Sequence, residues 1–193
     1  MELTTEQLGE LMRPMADTYG LAHRGLPSIE TIGPGDIPRP LRKLLEHEND
    51  MTPTLEDFHG RKIILKVLQR RLNGSSLLRQ VVLVLGENET PVEFGAIRIY
   101  LDRFDESAKR EIQHCRRPLG SILEEYHVRH VNRPSAFLRV EPDALIRDAL
   151  GLEGGVPLYG RCNTILDMNG EPMAEIVELL PPVNDEGGGG EGK

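Results

Sequence analysis

The chain contains no tryptophan and, among its 193 residues, only four phenylalanines and four tyrosines. A buried core must therefore be built mainly from leucine, isoleucine and valine. Cysteine is equally scarce, with only Cys115 and Cys162. Two thiols in a chain of this length are typical of a reduced cytoplasmic protein rather than of a disulfide framework. No cysteine or histidine spacing matches a zinc site, so we expect no bound metal.

The sequence also lacks a basic cluster and a long apolar segment. Its formal net charge is -8, and it has no long run of lysine and arginine. Because duplex binding requires clustered cations that displace counterions, we do not expect a nucleic acid partner. No apolar run approaches the roughly 20 residues that span a bilayer, and residues 1–18 are too acidic for a signal peptide. The sequence therefore predicts a cytoplasmic protein without a membrane partner.

The composition is typical of a single globular domain. Hydrophobic residues make up 38% of the chain and charged residues 28%, which suits a domain with a substantial core. We place this domain at residues 37–182. Residues 1–36 form an N-terminal extension, in which 4–16 favour a short helix and the glycines and prolines between 20 and 40 indicate irregular structure. Residues 183–193, with four consecutive glycines, indicate a disordered tail.

Groups of helical and strand signals alternate along the domain. Caps and periodic apolar residues indicate helices at 38–48, from 52, and at 105–114, 118–126 and 142–150. Runs of β-branched residues and leucine between turn residues indicate strands at 63–67, 77–85, 92–101, 159–166 and 173–180. We therefore predict an α+β fold in which helices pack on one face of an antiparallel β-sheet.

One carboxylate stands in an otherwise apolar row. By the period-two rule, Glu178 shares a strand face with Ala174, Ile176 and Leu180. A lone buried carboxylate is unfavourable unless it has a partner, a ligand or a proton, so Glu178 is a candidate for acid/base chemistry. The alternative is that this face is exposed to solvent and that Glu175 points inward instead.

Several groups could bind an anion. Arg79 lies in an apolar strand, where its guanidinium is suited to a bidentate grip on a carboxylate, and the alternative is a surface arginine on an edge strand. The helix start at 118–120 offers backbone N–H groups of the kind that bind anions, whereas 50–52 by itself indicates only a turn. Arg98 and Arg161 also lie in strands, and each could face either a ligand or the surface.

Taken in order, these positions resemble the chorismate lyase family. The likeness extends from about residue 37 to 182 and rests on an ordered series of short motifs: Leu44-Leu45, Asp50-Met51-Thr52, Leu55-Glu56, Leu78-Arg79-Gln80-Val81-Val82-Leu83, Pro118-Leu119-Gly120, Gly160-Arg161, and Asn169-Gly170-Glu171-Pro172 leading to Glu178 and Pro181. The resemblance implies an antiparallel sheet with helices packed on it. It also implies conversion of chorismate to 4-hydroxybenzoate and pyruvate, without a metal or an organic cofactor.

The resemblance assigns roles to residues of this chain. Arg79 would bind the ring carboxylate of chorismate, together with the backbone N–H groups of Met51 and Leu119. Glu178 would be the acid/base group beside the oxygen whose enolpyruvyl group departs, and an apolar setting would raise its pKa as a general acid requires. Arg161 joins the expected substrate-binding set. Chorismate is poised to become aromatic, so orientation and one acid/base group would account for most of the catalysis.

The chain departs from the family at two positions near the expected site. Asp50 stands where a serine usually precedes Met-Thr, which adds a negative charge beside a site for an anion. Ala96 follows Gly95 where an arginine is usual, which removes a cation that helps to bind the substrate. Arg98, two residues further along the same face, is a candidate replacement.

Two other functions fit the same pattern. The fold also serves as the effector-binding half of GntR-type transcription regulators, so a stand-alone domain that senses an aromatic carboxylate is one alternative. Residues 1–36 are too few, and too rich in glycine and proline, for a winged helix-turn-helix. A related enzyme that makes another hydroxybenzoate is the other alternative. A lyase needs Arg79 and Glu178 in one cavity, whereas a sensor could dispense with the acid. We expect a small-molecule partner and a monomer or homodimer in each case.

Overall fold

Seven strands form one antiparallel sheet in the computed structural model, which describes residues 3–86 and 88–183. Their order across the sheet is β1-β5-β6-β7-β4-β3-β2, and their bounds are β1 Ser28–Ile32, β2 Ile63–Asn73, β3 Ser76–Leu85, β4 Pro91–Tyr100, β5 Val131–Glu141, β6 Leu158–Leu166 and β7 Pro172–Leu180. The predicted α+β class with an antiparallel sheet is confirmed. From residue 184 onward, the predicted disordered tail lies outside the described residues.

Helices pack on both faces of the sheet. Their bounds are α1 Thr5–Leu11, α2 Arg13–Leu21, α3 Arg39–Leu45, α4 Met51–His59, α5 Glu106–His114, α6 Leu119–Glu125 and α7 Ala144–Leu150. Helices α3 to α6 cover one face, as predicted, and bury residues such as Leu55 and Ile122 against the strands. Helices α2 and α7 cover the other face, where Tyr19 and Ile146 share a core with Phe94. Among the described helices, none is long and apolar enough to cross a membrane.

The N-terminal segment is part of this core, which corrects the predicted boundary at residue 37. Met15 and Tyr19 of α2 are almost completely buried. Strand β1, which the sequence did not indicate, pairs with β5, while the rest of the segment between 20 and 40 is mostly irregular, as expected. Pro27 precedes β1 and Gly33 follows it, and these turn-forming residues therefore bound a short strand instead of excluding one.

Strand β5 was not predicted from the sequence. It contains Pro134, which cannot donate a ladder hydrogen bond and argues against a central strand. The register between β5 and β6 shifts between Pro134 and Ala136, and such irregularities accommodate a proline within a sheet. This strand matters for the site below because it contributes Asn132.

Candidate functional site

A small cavity of about 60 Å³, partly open to solvent, lies between the sheet and the first turns of α4 and α6. Met51, Arg79, Leu119 and Glu178, four of the six predicted site residues, line this cavity. The polar side chains that line it are Asp50, Thr52, Arg79, Glu93, Asn132, Asn163 and Glu178.

The floor of the cavity consists of adjacent rows across four strands. In one row, Arg79 on β3 pairs with Ile97 on β4, Ile97 with Ile176 on β7, and Ile176 with Asn163 on β6. The next row, two residues along, runs from Val81 through Gly95 and Glu178 to Arg161. An apolar surface therefore separates Arg79 from the polar groups of β6 and β7.

Arg79 is a buried cation without a full set of partners. Its side chain is only 2% exposed, and its Nε and Nη1 atoms have no hydrogen-bond acceptor among the described residues. Burial lowers the pKa of Arg79, and the Cys115 thiol acts in the opposite direction. A buried guanidinium that lacks acceptors is costly, so this group is prepared for an anionic ligand. The alternative of a surface arginine is wrong.

The roof contributes two helix starts that lie side by side. Met51 and Leu119 are the first residues of α4 and α6, and the N–H groups of a first helical turn have no partner within the helix. Gly120 allows the close approach, because a Cβ at this position would lie 3.3 Å from the Thr52 side chain. Met51 and Leu119 both line the cavity that contains Arg79, so the two helix starts border it.

Glu178 faces the cavity, but it is not alone. Arg161 lies opposite it on β6, and Arg161 Nε donates a hydrogen bond of 2.6 Å to Glu178 Oε2. The same guanidinium donates to the carbonyl oxygens of Leu45, His47 and Asn49. Arg161 is completely buried and does not line the cavity, so the prediction that it binds the ligand is corrected. It forms an ion pair with Glu178 and ties the loop after α3 to the sheet.

A second carboxyl group, which was not predicted, shares the cavity with Glu178. Glu93 is 4% exposed, and its Oε2 has no hydrogen-bond partner among the described residues. Burial and then the charge of Glu178 raise the pKa of Glu93 well above its ordinary value, so its surroundings favour the protonated acid. A Cβ on Gly95 would lie 3.1 Å from Glu93 Oε1, so the glycine provides room for the carboxyl group.

The charge of Asp50, which departs from the family pattern, is compensated within the structure. The carboxylate accepts hydrogen bonds from His130 Nε2 at 3.0 Å and from Asn132 Nδ2 at 2.8 Å. Burial acts to raise the pKa of Asp50, but these two bonds together hold it below its ordinary value. His130 Nδ1 also lies 2.8 Å from the Val128 carbonyl oxygen, which can only accept. Both ring nitrogens therefore face acceptors, which favours the imidazolium form that compensates the charge of Asp50, and the pKa of His130 is raised.

Arg98 lies on the opposite face of the sheet from the cavity. Ala96 and Arg98 alternate with the cavity-lining residues of β4, and Arg98 forms ion pairs with Asp17 and, at 3.6 Å, with Glu175. The prediction that Arg98 replaces the missing cation is therefore wrong. Glu175 does not line the cavity either, because it lies on that opposite face, where its carboxylate accepts a hydrogen bond from Tyr100. The question between Glu175 and Glu178 is resolved in favour of Glu178.

No protein-family model and no curated protein sequence matches this chain. Solved structures do resemble it. The effector domain of PhnF from Mycobacterium smegmatis is 14% identical, with a TM-score of 0.52 over 68% of this chain and 88% of that one. In the structure of PhnF from the same organism, also 14% identical with a TM-score of 0.52, the match covers 89% of this chain and 79% of that one.

The gene product SA0254 from Staphylococcus aureus is 10% identical, with a TM-score of 0.52 over 71% of this chain and 90% of that one. At such low identity, these similarities concern the fold alone. The chain shares its α+β fold with these structures. A function for this chain must therefore be argued from its own cavity.

Proposed function

We propose that this chain removes pyruvate from chorismate and releases 4-hydroxybenzoate. One observation carries the proposal: a buried guanidinium, two of whose nitrogens lack acceptors among the described residues, and two glutamates in different environments face the same cavity. A domain that only binds a carboxylate needs the guanidinium but not the pair of acids. The ordered sequence motifs shared with chorismate lyases support the same reaction.

Arg79 and the roof would bind the ring carboxylate of the substrate. The Nε and Nη1 atoms of Arg79 lack acceptors among the described residues, so the buried guanidinium has donors left for the ring carboxylate. The N–H groups at the starts of α4 and α6 add positive partial charge on the same side. The diene ring would then lie over Ile97 and Ile176, with its substituted end toward Glu178.

The two carboxyl groups divide the proton transfers between them. Glu178, held as a carboxylate by Arg161, would accept the proton from the ring carbon that bears the hydroxyl group. The bond between the neighbouring ring carbon and the ether oxygen breaks, and its electrons leave with the enolpyruvyl group. Glu93, which carries a proton, would protonate the departing group, which becomes pyruvate. The ring is left aromatic, and no co-reactant is needed.

The test is incubation of the purified protein with chorismate, with pyruvate and 4-hydroxybenzoate measured in the same samples. Equal amounts of both products, formed faster than in buffer and in proportion to the protein, are expected. Pyruvate accompanied by a different aromatic acid would still support an elimination reaction and would indicate an enzyme that makes another hydroxybenzoate. If neither pyruvate nor 4-hydroxybenzoate forms at high protein concentration, the lyase function is contradicted.

A binding domain for small aromatic carboxylates is the second candidate. The solved structures that share the fold include the effector domain of PhnF, which favours this function over the lyase. Such a domain would use Arg79 and the two helix starts in the same way and would release nothing. A rise in melting temperature with 4-hydroxybenzoate, in the absence of turnover, would identify it.

A further inference from the structure

We propose that Asn163 forms a subsite that accepts a hydrogen bond from a hydroxyl group of the ligand, on the side of the cavity opposite Arg79. This inference deepens the proposed function and rests on it for the placement of the ligand carboxylate at Arg79. It identifies the ligand class as a ring with a carboxylate at one end and a hydroxyl donor at the other.

A chain of hydrogen bonds fixes which atom Asn163 presents. An ionised Asp50 can only accept, so the Nδ2 group of Asn132 must point toward it, and the distance to Asp50 Oδ1 is 2.8 Å. The Oδ1 atom of Asn132 then accepts from Asn163 Nδ2, also at 2.8 Å. The atom of Asn163 that remains is Oδ1, which is an acceptor.

This acceptor is buried and unsatisfied. Asn163 is 3% exposed and lines the cavity, and its Oδ1 has no hydrogen-bond partner among the described residues. A buried acceptor without a donor is unfavourable, and native structures contain few of them. A ligand that donates a hydrogen bond to Oδ1 would remove this cost, whereas one that offers only an acceptor or an apolar group would not.

The register of the sheet places this acceptor at the far end of the ligand from Arg79. Arg79 and Asn163 belong to the same row, with Ile97 and Ile176 between them. Three strand spacings separate the two Cα atoms by about 14 Å. The long Arg79 side chain and a six-membered ring with substituents at opposite ends together span a distance of that order. Asn163 would therefore accept a hydrogen bond from the hydroxyl group that is para to the carboxylate.

The position of Glu178 agrees with this orientation. Glu178 lies in the neighbouring row, on β7, which separates β6 from β4. A ring directed from Arg79 to Asn163 would turn one of its meta positions toward that row. In chorismate the ether oxygen is meta and the hydroxyl is para to the ring carboxylate, so the departing group would lie on the side of Glu178 and Glu93, and the retained hydroxyl would have a separate partner in Asn163.

The inference is tested by measuring the dissociation constants of benzoate, 4-hydroxybenzoate and 4-methoxybenzoate. The wild-type protein is expected to bind 4-hydroxybenzoate about tenfold more tightly than the other two, as the loss of one buried hydrogen bond predicts. Asn163→Leu, which has similar volume and no acceptor, should lose this preference and keep its affinity for benzoate. Thr164→Val is the matched control, because Thr164 is the next residue of β6 and points to the other face.

A preference that survives in Asn163→Leu would overturn the inference. Should that variant fail to unfold cooperatively, the wild-type comparison decides alone, because equal affinities for the three benzoates would also overturn it. The experiment requires no turnover, so an absence of pyruvate release would contradict the lyase without affecting this result. Conversely, pyruvate release without a preference for the hydroxyl group would support the lyase function and contradict the Asn163 subsite.

Discussion

Arg161 and Glu178 face each other on neighbouring strands, and Arg161 Nε donates to Glu178 Oε2 at 2.6 Å in the protein interior. Glu178→Gln keeps the size of the side chain but removes the negative charge that could accept a proton. We expect the rate of pyruvate release to fall by about two to four orders of magnitude, because general base catalysis contributes about that much. Steady-state kinetics with chorismate measure the loss.

The same pair explains why Gln is a better test than Ala. Glu178→Ala would leave the Arg161 guanidinium buried with carbonyl partners only, which predicts a loss of about 3–5 kcal/mol in the free energy of unfolding. Glu175→Gln is the control on the same strand, since Glu175 points to the opposite face. A wild-type rate of pyruvate release in Glu178→Gln would show that Glu178 does not act as the base.

Arg79 illustrates a conflict between binding and stability. Because its Nε and Nη1 atoms lack acceptors, the guanidinium destabilises the ligand-free protein. Arg79→Met should therefore raise the free energy of unfolding without ligand by about 1–3 kcal/mol, as replacement of buried charges by apolar residues does. The same variant should no longer gain stability from 4-hydroxybenzoate. Urea denaturation with and without the ligand measures both effects.

A surface arginine provides the control for this substitution. Arg70 is the cross-strand partner of Arg79 on β2, but it is exposed. Arg70→Met should change the free energy of unfolding by less than about 0.5 kcal/mol and leave ligand binding intact. If Arg79→Met still bound 4-hydroxybenzoate with wild-type affinity, the carboxylate would lie elsewhere in the cavity.

The His130–Asp50 pair predicts how stability and binding depend on pH. The hydrogen bond to Asp50 raises the pKa of His130 above its ordinary value of 6.5. A raised histidine pKa stabilises the fold fully below pH 6.5, and that stabilisation is lost as the pH rises through the pKa of the folded state. Above it, Asp50 also loses its compensating charge, so the affinity for a carboxylate ligand should decrease.

NMR titration of the His130 ring tests this prediction directly. We expect a midpoint above 6.5 and weaker binding of 4-hydroxybenzoate on the alkaline side of that midpoint. In His130→Gln, the affinity should vary less across the same pH range. A midpoint at or below 6.5 would show that the ring does not donate from both nitrogens.

Much of the site follows from the alternation of side chains along strands. Alternation places Arg79 and Glu178 among apolar residues but leaves open whether those faces are buried, and in the structure both residues line the cavity. The same rule, applied to β4, places Glu93 and Ile97 on one face and Arg98 on the other. Alternation thus shows that Arg98 shares the face of Ala96, but it does not show that this face points away from the cavity, which is why the prediction of Arg98 as a replacement cation fails.

The remaining features depend on contacts between residues far apart in the sequence. Asn132 and His130 reach Asp50 across about 80 residues, and Asn132 lies in a strand that its proline concealed. The acceptors of Arg161 are carbonyl oxygens of the loop after α3, which no side-chain pattern indicates. Local sequence rules give the face of a residue, but they do not give its partner.

The protonation state of Glu93 gives the last prediction. Burial and the Glu178 charge raise its pKa well above the value of an exposed glutamate, so the folded protein holds a proton that the unfolded chain releases. A raised acid pKa means that stability decreases as the pH rises above 4.5, the ordinary value for glutamate, until the folded-state pKa is reached. Glu93→Gln, which mimics the neutral acid, should not show this decrease.

The difference in unfolding free energy between Glu93→Gln and the wild type should therefore grow with pH, by on the order of 1 kcal/mol per unit, in favour of the variant. Urea denaturation of both proteins between pH 5 and 8 measures it. Parallel stability curves would mean that Glu93 is already ionised and cannot protonate the departing enolpyruvyl group. A growing difference combined with slow pyruvate release in Glu93→Gln would connect the stored proton to the reaction, because glutamine preserves the shape of the acid but has no proton to give.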